Sequence, residues 1–400
     1  EIQNLFTNER AENLTTLSKY DPEGTYPTKP EANIAEESET EETAKEEIVT
    51  ATPAEVTVPV KQEKAITLKD VYEDESLWDS FLAQFTDDEL ILYLLNGEFK
   101  TLEMEEYGIP RMDMKDGPAN IQAGTGGWGG DIGTSFPVAA MIGCTWNQDL
   151  ARDYGAAAGQ EGKNFVLDGE NAGTEVWYAP ALNIHRNPRC GRNFEYYSED
   201  PVLAGTIAAA ATVGAQSEGL QVALKHFAVN NQETGRVGLH TYASERALRE
   251  IYLKAFELPV KAGATGVMSA FNYIGDTWCG ANEELLVDLL RAEWGFDGFV
   301  ITDAYMDVTA EKWPDTAAVV KAQNNFLSSQ ESASEGRYVA EYQNIKAELE
   351  NNPSFREDLE RNVKQVLSVL MKTYAFSDVI GTEENVNFEQ QKSYFDVTAE

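Results

Sequence analysis

Apolar residues recur with two different spacings along the chain from about Ile66 onward. Short apolar runs bounded by turn residues predict buried strands. Five such runs are present: RMDMKD at 111–116, TEVWYAP at 174–180, LQVALKHF at 220–227, TGVMSAF at 265–271 and DGFVITD at 297–303. Longer stretches with apolar residues at helical spacing predict helices. These cover 76–95, 147–163, 201–219, 244–263, 282–295 and 338–373.

Buried strands that alternate with helices are typical of a parallel sheet covered by helices. About 310 residues of this alternation favour a single α/β fold, a (β/α)8 barrel of the TIM type, over residues 65–376. A doubly wound open sheet is the alternative, but no Gly-rich phosphate loop follows the first predicted strand. Ser244 and Asn282 stand where N-caps of two helices are expected, and both helices end in Gly.

The first part of the chain has a different composition. Residues 36–47 (EESETEETAKEE) hold seven Glu and one Lys, and the stretch that follows carries Pro and short side chains. Such a segment buries too little apolar surface to offset its ordering entropy, so residues 30–64 are predicted to be an acidic, disordered N-terminal linker. Residues 377–400 are predicted to be a polar tail.

Charge and composition exclude several classes of function. The chain has 400 residues, with 31 Lys and Arg against 68 Asp and Glu, a net charge of −37. A surface this acidic repels phosphate backbones, which argues against nucleic-acid binding. No run approaches the roughly 18 apolar residues of a membrane span. The three cysteines (Cys144, Cys190 and Cys279) are an odd number without metal-type spacing, which argues against a disulfide framework and a zinc site.

Polar residues follow the predicted strands at their carboxyl ends, where barrel enzymes build their sites. They include Asp116 after the first strand, Arg186, Arg192 and Glu195 after the second, Lys225 and His226 at the third, and Asp303 at the fifth. Charged strand ends in phase favour a binding or catalytic site over a structural ion-pair network. Carboxylates and cations with aromatic residues nearby suit a sugar, and neither a metal nor another cofactor is expected.

From about Phe85 to Phe376 the chain resembles glycoside hydrolase family 3, the retaining exo-acting β-glucosidases and β-xylosidases. The matching blocks occur in family order: KDGPANI, NIHRNPRCGRNFEYYSEDP, LKHFAVNNQET, SERALREIYLKAFE, VMSAFN and EWGFDGFVITD. The resemblance implies hydrolysis of terminal, non-reducing β-linked sugars with retention of configuration. A small β-glucoside or β-xyloside is the implied substrate, and the sequence does not decide between glucose and xylose.

The resemblance also implies roles for individual residues. Asp303 matches the nucleophile that forms a covalent glycosyl-enzyme. Asp116 matches the carboxylate that holds the C4 and C6 hydroxyls of the terminal sugar. Lys225 and His226 match the adjacent pair that binds hydroxyls of the same sugar, and Arg192 matches the arginine that joins them.

Neighbouring positions complete the expected site. Arg186 and Glu195 lie in the loop of Arg192 and are expected to orient its side chain rather than to contact sugar. Met268 falls where the family often has an apolar wall residue. Phe271 is an expected substrate contact, and it stands where many members have a Tyr whose hydroxyl reaches the nucleophile.

One aromatic wall of the pocket departs from the family. Ala304 follows Asp303 where many members have Trp, so that wall is either missing or supplied by Tyr305 or Trp278. Such differences concern the sugar preference more than the class of reaction.

Retaining hydrolysis also needs a general acid/base, which in most of the family lies on a second domain, an α/β sandwich. The sequence does not contain that domain. Residues 1–29 look like the junction in the subgroup where the sandwich precedes the barrel, and the chain begins at Glu1 without a signal peptide. We therefore expect the acid/base on a domain absent from this chain. The compartment, cytoplasmic or secreted, stays open.

Other interpretations remain. Glu218 and Glu233 are possible acids within the barrel, but both are expected at the surface or behind the site. The β-N-acetylhexosaminidase branch keeps its acid/base in the barrel after a KHFPGHG motif, but here Asn230 replaces the second His and His240 lies too far along. A sugar-binding, catalytically incomplete barrel is the alternative from a different class.

Overall fold

The computed structural model describes residues 65–122, 133–167, 174–303, 315–326 and 335–381. The predicted junction, the predicted acidic linker and nearly all of the predicted tail lie outside these residues. The strands of the described part are short: β1 Met114–Lys115, β2 Val176–Trp177, β3 Gln221–Val222, β4 Leu224–Phe227, β5 His240–Thr241, β6 Gly266–Ser269, β7 Tyr273–Ile274, β8 Thr277–Trp278 and β9 Phe299–Thr302.

Helices separate these strands, as the alternation predicts. They are α1 Leu68–Glu73, α2 Trp78–Leu82, α3 Asp87–Leu95, α4 Ala139–Cys144, α5 Gln148–Leu167, α6 Pro201–Ser217, α7 Glu245–Ala247, α8 Lys254–Lys261, α9 Thr316–Lys321, α10 Glu335–Asn351, α11 Phe355–Leu370 and α12 Tyr374–Ile380. Two π-helical segments, Leu248–Tyr252 and Glu284–Glu293, lie within the helices predicted at 244–263 and 282–295. None of the described helices is long and apolar enough to cross a membrane.

The main strands run parallel around a barrel. β1 pairs with β2 and β2 with β3, while β4 pairs with β6 and β6 with β9. A parallel bridge between Ala181 and Lys225 joins the two sets, and another joins Ile301 to Phe326. The Phe326 ring lies directly against Gly97, where a Cβ atom would meet ring carbons at 2.2 Å. The described residues thus form a TIM-barrel-like α/β fold, as the sequence predicts.

One pairing of chain segments in the barrel is antiparallel, which the alternation of strands and helices did not predict. Residues 99–101 run antiparallel to 112–114, with a bridge between Lys100 and Asp113 and a hydrogen bond from the Met114 amide to the Phe99 carbonyl at 2.7 Å. The connection over 102–111 contains no long helix. A connection this short permits an antiparallel pair, whereas a parallel crossover needs about a dozen residues or more.

Alternate residues of the strands face two different apolar clusters. Val222, Val267 and Val300 pack outward in the cluster that includes residues of α5, α6 and α8. Met114, Ala223, Met268 and Ile301 belong to the other cluster, which also includes residues of α3 and α11, and they point into the barrel because they alternate with the outward side chains. The next inward positions after Met114, Ala223 and Ile301 are 116, 225 and 303, because side chains along a strand repeat their direction every two residues.

The helix predicted over 76–95 is interrupted. α2 ends at Leu82 and α3 begins at Asp87, because Thr86 forms a capping box with Glu89. The Thr86 amide donates to the Glu89 carboxylate at 2.7 Å, and the Glu89 amide donates to Thr86 Oγ1 at 3.2 Å. Ser244 and Asn282 cap their helices as predicted, by accepting from the amides of Ala247 and Leu285. At the other end of the chain, α12 continues past residue 376 to Ile380.

Candidate active site

Five residues singled out from the sequence meet at the carboxyl ends of the strands. Asp116 follows β1, Lys225 and His226 belong to β4, and Asp303 follows β9. Arg192 lies in the loop that follows β2. The Arg192 guanidinium lies near both Asp116 and His226, since its charge helps to lower the pKa of each group.

Lys225 and Asp116 form one half of this cluster. The Lys225 ammonium is almost fully buried and donates to Asp116 Oδ1. The Gly117 amide also donates to the Asp116 carboxylate, at 2.7 Å. Burial opposes ionisation of Asp116, but the charge and hydrogen bond of Lys225 outweigh it and hold the pKa of Asp116 below its usual value. Asp116 is therefore an anionic acceptor for hydroxyl groups.

His226 is fixed by Asn183, a residue that the sequence reasoning missed. The Asn183 side-chain amide donates to the His226 carbonyl at 3.0 Å, and its Oδ1 accepts from the His226 backbone amide at 3.0 Å. The same Oδ1 lies 3.3 Å from His226 Nδ1. Since Oδ1 is an acceptor, the proton of a neutral imidazole belongs on Nδ1, and Nε2 is left as an acceptor.

Nε2 of His226 lies 3.8 Å from Asp303 Oδ2. Burial and the charges of Arg192, Lys225 and Arg236 depress the pKa of His226 well below its usual value. The imidazole is therefore neutral near neutral pH, and its contact with Asp303 is not an ion pair.

Arg192 is held by Glu195 through two hydrogen bonds. The Arg192 Nε donates to Glu195 Oε1 at 2.5 Å, and Nη2 donates to Oε2 at 2.7 Å. Burial opposes the charge of Arg192, but this bidentate pair outweighs it and raises the pKa of the guanidinium above its usual value. The imidazole of His185 stabilises the same loop through the carbonyls of Asn193 and Tyr196, both at 2.8 Å.

Arg186 is not brought into the cluster. Its side chain is exposed on the loop, and the arginine beside the site is oriented by Glu195 instead. Met268 is buried in the barrel interior. Trp278 is also buried and lies in the same apolar cluster, while Tyr305 and Ala304 fall outside the described residues.

Phe271 is buried beneath an arginine that the sequence reasoning did not select. The Arg236 guanidinium lies over the Phe271 ring, 4.7 Å from its centroid. Glu233 also pairs with Arg236, with 3.1 Å between Arg236 Nη1 and Glu233 Oε2. Asn230 donates to the same carboxylate at 3.3 Å. Arg236 therefore covers, through a cation–π contact, a face of the ring that was expected to meet the substrate. The sequence carries no signal for this contact, because the two residues are far apart along the chain.

Glu218 lies away from this cluster. It is the C-cap residue of α6, just before β3, and so stands at the end of the barrel opposite to the carboxyl ends of the strands. Its backbone carbonyl accepts from the Tyr374 hydroxyl. This position agrees with the expectation that Glu218 does not act as an acid in the site.

Fold and site together define a TIM-barrel-like domain with a pocket of carboxylates, cations and one neutral imidazole at the carboxyl ends of its strands. The family description "Glycosyl hydrolase family 3 N terminal domain" matches residues 102–369, which is more than half of the chain. The chain therefore belongs to glycosyl hydrolase family 3, and the resemblance seen in the sequence is confirmed.

Individual relatives and solved structures agree with this family. A β-glucosidase from Ruminococcus albus is 35% identical over 351 residues, which cover 81% of this chain and 35% of the relative. β-Glucosidase A from Butyrivibrio fibrisolvens is 40% identical over 255 residues, 62% of this chain and 30% of the relative. The structure of β-glucosidase 3B from Thermotoga neapolitana in complex with glycerol matches with a TM-score of 0.66 and 34% identity, covering 80% of this chain and 46% of that chain. The chain spans about a third of the length of these curated relatives.

Proposed function

We propose that this chain is the nucleophile-bearing barrel of a retaining, exo-acting β-glucosidase. The observation that carries the proposal is the contact of 3.8 Å between His226 Nε2 and Asp303 Oδ2, beside the pair of Lys225 and Asp116. The residues that match the nucleophile and the hydroxyl-binding pair of the family thus face one pocket. β-Glucosidases among the relatives, and a related Thermotoga neapolitana structure in complex with glucose, support glucose as the sugar.

In the proposed reaction the terminal sugar is held by groups of opposite character. Ionised Asp116 accepts from sugar hydroxyls, while Lys225 and Arg192 donate to hydroxyl oxygens. Nε2 of neutral His226 accepts from one further hydroxyl, which satisfies the acceptor that faces Asp303. Each of these contacts also fixes the position of the anomeric carbon relative to the Asp303 carboxylate.

Asp303 then forms a bond to the anomeric carbon as the bond to the leaving-group oxygen breaks. The leaving oxygen takes up a proton from the general acid, and the product is a covalent glycosyl-enzyme. A water molecule, deprotonated by the same group, attacks the anomeric carbon and releases Asp303. Two displacements at one carbon return the original configuration.

The general acid/base is proposed to lie on a second domain. Within the described part of the site, Asp116 is paired with Lys225, Glu195 with Arg192 and Glu233 with Arg236. Each of these carboxylates is already engaged by a cation, which makes it a poor candidate for the general acid. An α/β sandwich domain outside this chain is our candidate, and the greater length of the relatives is compatible with it.

Covalent trapping tests the proposal without the acid. A 2-deoxy-2-fluoro-β-glucoside with a 2,4-dinitrophenolate leaving group needs no protonation to react, and the fluorine slows release of the sugar. We expect a stoichiometric increase in intact mass and a label on Asp303 in the peptide map. Asp303→Asn should not be labelled, whereas Asp276→Asn, at an exposed carboxylate, should be labelled like the parent. A folded chain that binds glucose but gains no label would contradict the assignment of the nucleophile.

A sugar-binding barrel without catalysis is the second candidate. It is favoured by the pairing of Asp116, Glu195 and Glu233 with cations, because each of these carboxylates is already engaged within the described site. Turnover of 2,4-dinitrophenyl β-glucoside separates the two candidates. If the second one holds, the parent and Asp303→Asn show the same background rate.

A further inference from the structure

The loop that follows β1 carries a polar side chain that the proposed reaction does not use. Gln122 stands six residues after Asp116, and its Oε1 atom is buried without a hydrogen-bond partner in the described part of the chain. A buried acceptor that lacks a donor costs free energy, so native proteins keep few of them, and each calls for a reason. Gln122 is therefore a candidate for a contact that forms when the site binds its ligand.

The loop folds back so that Gln122 lies beside Asp116. The Gln122 backbone amide donates to the Asp116 carbonyl at 3.0 Å. Gly117, whose amide donates to the Asp116 carboxylate, has a φ of +112° and lies against the Gln122 side chain. A Cβ atom at Gly117 would come within 3.0 Å of Gln122 Cγ. The carboxylate of Asp116 and the side chain of Gln122 therefore flank the same glycine.

The Gln122 side chain points away from the layer of helices. Gln122 takes part in a β-bridge, and neighbouring side chains of an extended backbone point to opposite sides. The preceding residue, Ile121, is buried in the outward apolar cluster together with residues of α5 and α6. Gln122 therefore points to the opposite side, which is the side of the barrel interior and of Asp116.

Hydrogen bonds from β2 fix the backbone of this loop. The indole of the buried Trp177 donates to the carbonyls of Gly117 and Asn120, at 2.7 and 3.2 Å. Gly117 and Asn120 lie between the two polar side chains along the chain, so these bonds hold the side chains in fixed relative positions before a ligand binds. Such preorganisation lowers the entropy that binding would otherwise cost.

We propose that Gln122 is a further sugar-binding residue, which accepts a hydrogen bond from a hydroxyl of the terminal sugar next to the one that Asp116 binds. The proposal rests on the proposed function and names a residue that determines which sugar the pocket takes. Gln122 as a whole is only partly buried, and its last side-chain torsion is broadly distributed, so the amide can turn toward the pocket. A sugar that lacks the hydroxyl leaves the amide unpaired, and the pocket should discriminate against that sugar.

Single-turnover kinetics with deoxy sugars tests this contact. The substrates are 2,4-dinitrophenyl β-glucoside and its analogues that lack the hydroxyl at C2, C3, C4 or C6, one at a time. With the protein in excess, release of dinitrophenolate measures formation of the glycosyl-enzyme and needs no general acid. Gln122→Met replaces the amide by a side chain of similar length that forms no strong hydrogen bond. Gln160→Met, at an exposed position of α5, is the matched control.

Gln122→Met should lower the rate for the glucoside by about 3- to 10-fold, the loss of one neutral hydrogen bond. For one of the deoxy analogues the same substitution should have little effect, because the hydroxyl that the amide would bind is already missing. The comparison is a ratio of rates within one protein, so a lower folded fraction of the variant does not alter it. Gln160→Met should leave all of the rates unchanged.

Two results would overturn the proposal. An equal loss on the glucoside and on every analogue would show that Gln122 supports the loop and does not contact the sugar. No loss on any substrate would place its amide outside the site. Failure of the parent to form a covalent label at Asp303 is a separate result, which would reject the proposed function instead. Calorimetric binding of glucose and of its deoxy analogues then gives the same comparison between the parent and Gln122→Met, because binding requires no chemical step.

Discussion

The Lys225 ammonium pairs with the Asp116 carboxylate across 109 positions of sequence. The pair holds a buried cation and an ionised carboxylate side by side at the mouth of the barrel. The buried ammonium would be strongly unfavourable without this partner, because an unpaired buried charge is costly. The pair thereby fixes the positions of one donor and one acceptor for hydroxyl groups relative to each other.

Removing the acceptor of this pair should weaken sugar binding. Asp116→Asn is expected to raise the Kd for 1-deoxynojirimycin about 10- to 100-fold, since hydrogen bonds to charged groups contribute about 1.5–3 kcal/mol. Isothermal titration calorimetry measures the change, with the exposed Asp276→Asn as the control. An unchanged Kd for the Asp116 variant would remove this residue from the sugar site.

His226 should not titrate in the physiological range. Burial and the three neighbouring cations depress its pKa well below 6.5, so the folded protein binds fewer protons there than the unfolded chain does. Stability should therefore fall as pH drops below 6.5, and the His226 imidazole should stay neutral between pH 5 and 8. NMR of the imidazole nitrogens, with His226→Gln for assignment, tests this. A titration midpoint inside that range would contradict the proposed geometry.

Loss of charge at Glu195 should disturb Arg192. In Glu195→Gln the guanidinium loses its bidentate anionic partner, and removal of one member of a largely buried pair costs up to about 3–5 kcal/mol. We expect a lower free energy of unfolding and weaker glucose binding. Glu199→Gln, at an exposed position of the same loop, is the matched control. If both variants unfold at the same urea concentration, the pair contributes nothing to the loop.

Glu175 should make stability depend on pH. Its carboxyl group is buried and accepts from the Asp113 amide at 2.7 Å, and burial raises its pKa to about 8. The unfolded group has a pKa near 4.5, so the folded protein holds the proton more tightly between these values. Stability should fall as pH rises from 4.5 to 8, by an amount on the order of a few kcal/mol.

Urea unfolding at pH 5 and pH 8 measures this effect. Glu175→Gln should lose most of the difference between the two pH values, because the amide does not titrate. Glu103→Gln, at an exposed carboxylate, should keep it. If all three proteins showed the same difference in unfolding free energy between pH 5 and pH 8, Glu175 would be ionised in the folded state.

Much of the fold could be predicted from local pattern. Each of the five apolar runs contains a strand, and the helices predicted between them are present. The interruption after Leu82 was missed, because the Thr86 capping box competes with an apolar spacing that continues through it. The antiparallel position at Lys100 was also missed, since a segment this short carries no signal for its direction.

The sequence by itself determined where the candidate chemistry lies along the chain. Asp116, Lys225, His226 and Asp303 each stand at the carboxyl end of a predicted strand, and in a barrel these ends meet at one face. The family could also be identified from the sequence, because each matching block is a contiguous stretch of the chain.

The tertiary structure alone decided how these residues are held. Lys225 pairs with Asp116, Asn183 fixes the tautomer of His226, and Arg236 covers Phe271. Arg186 was expected beside Arg192 but lies exposed. These contacts join residues from different loops, and their geometry depends on the angles at which the loops leave the barrel. No periodicity along the chain encodes those angles, because they result from the packing of all the strands and helices together.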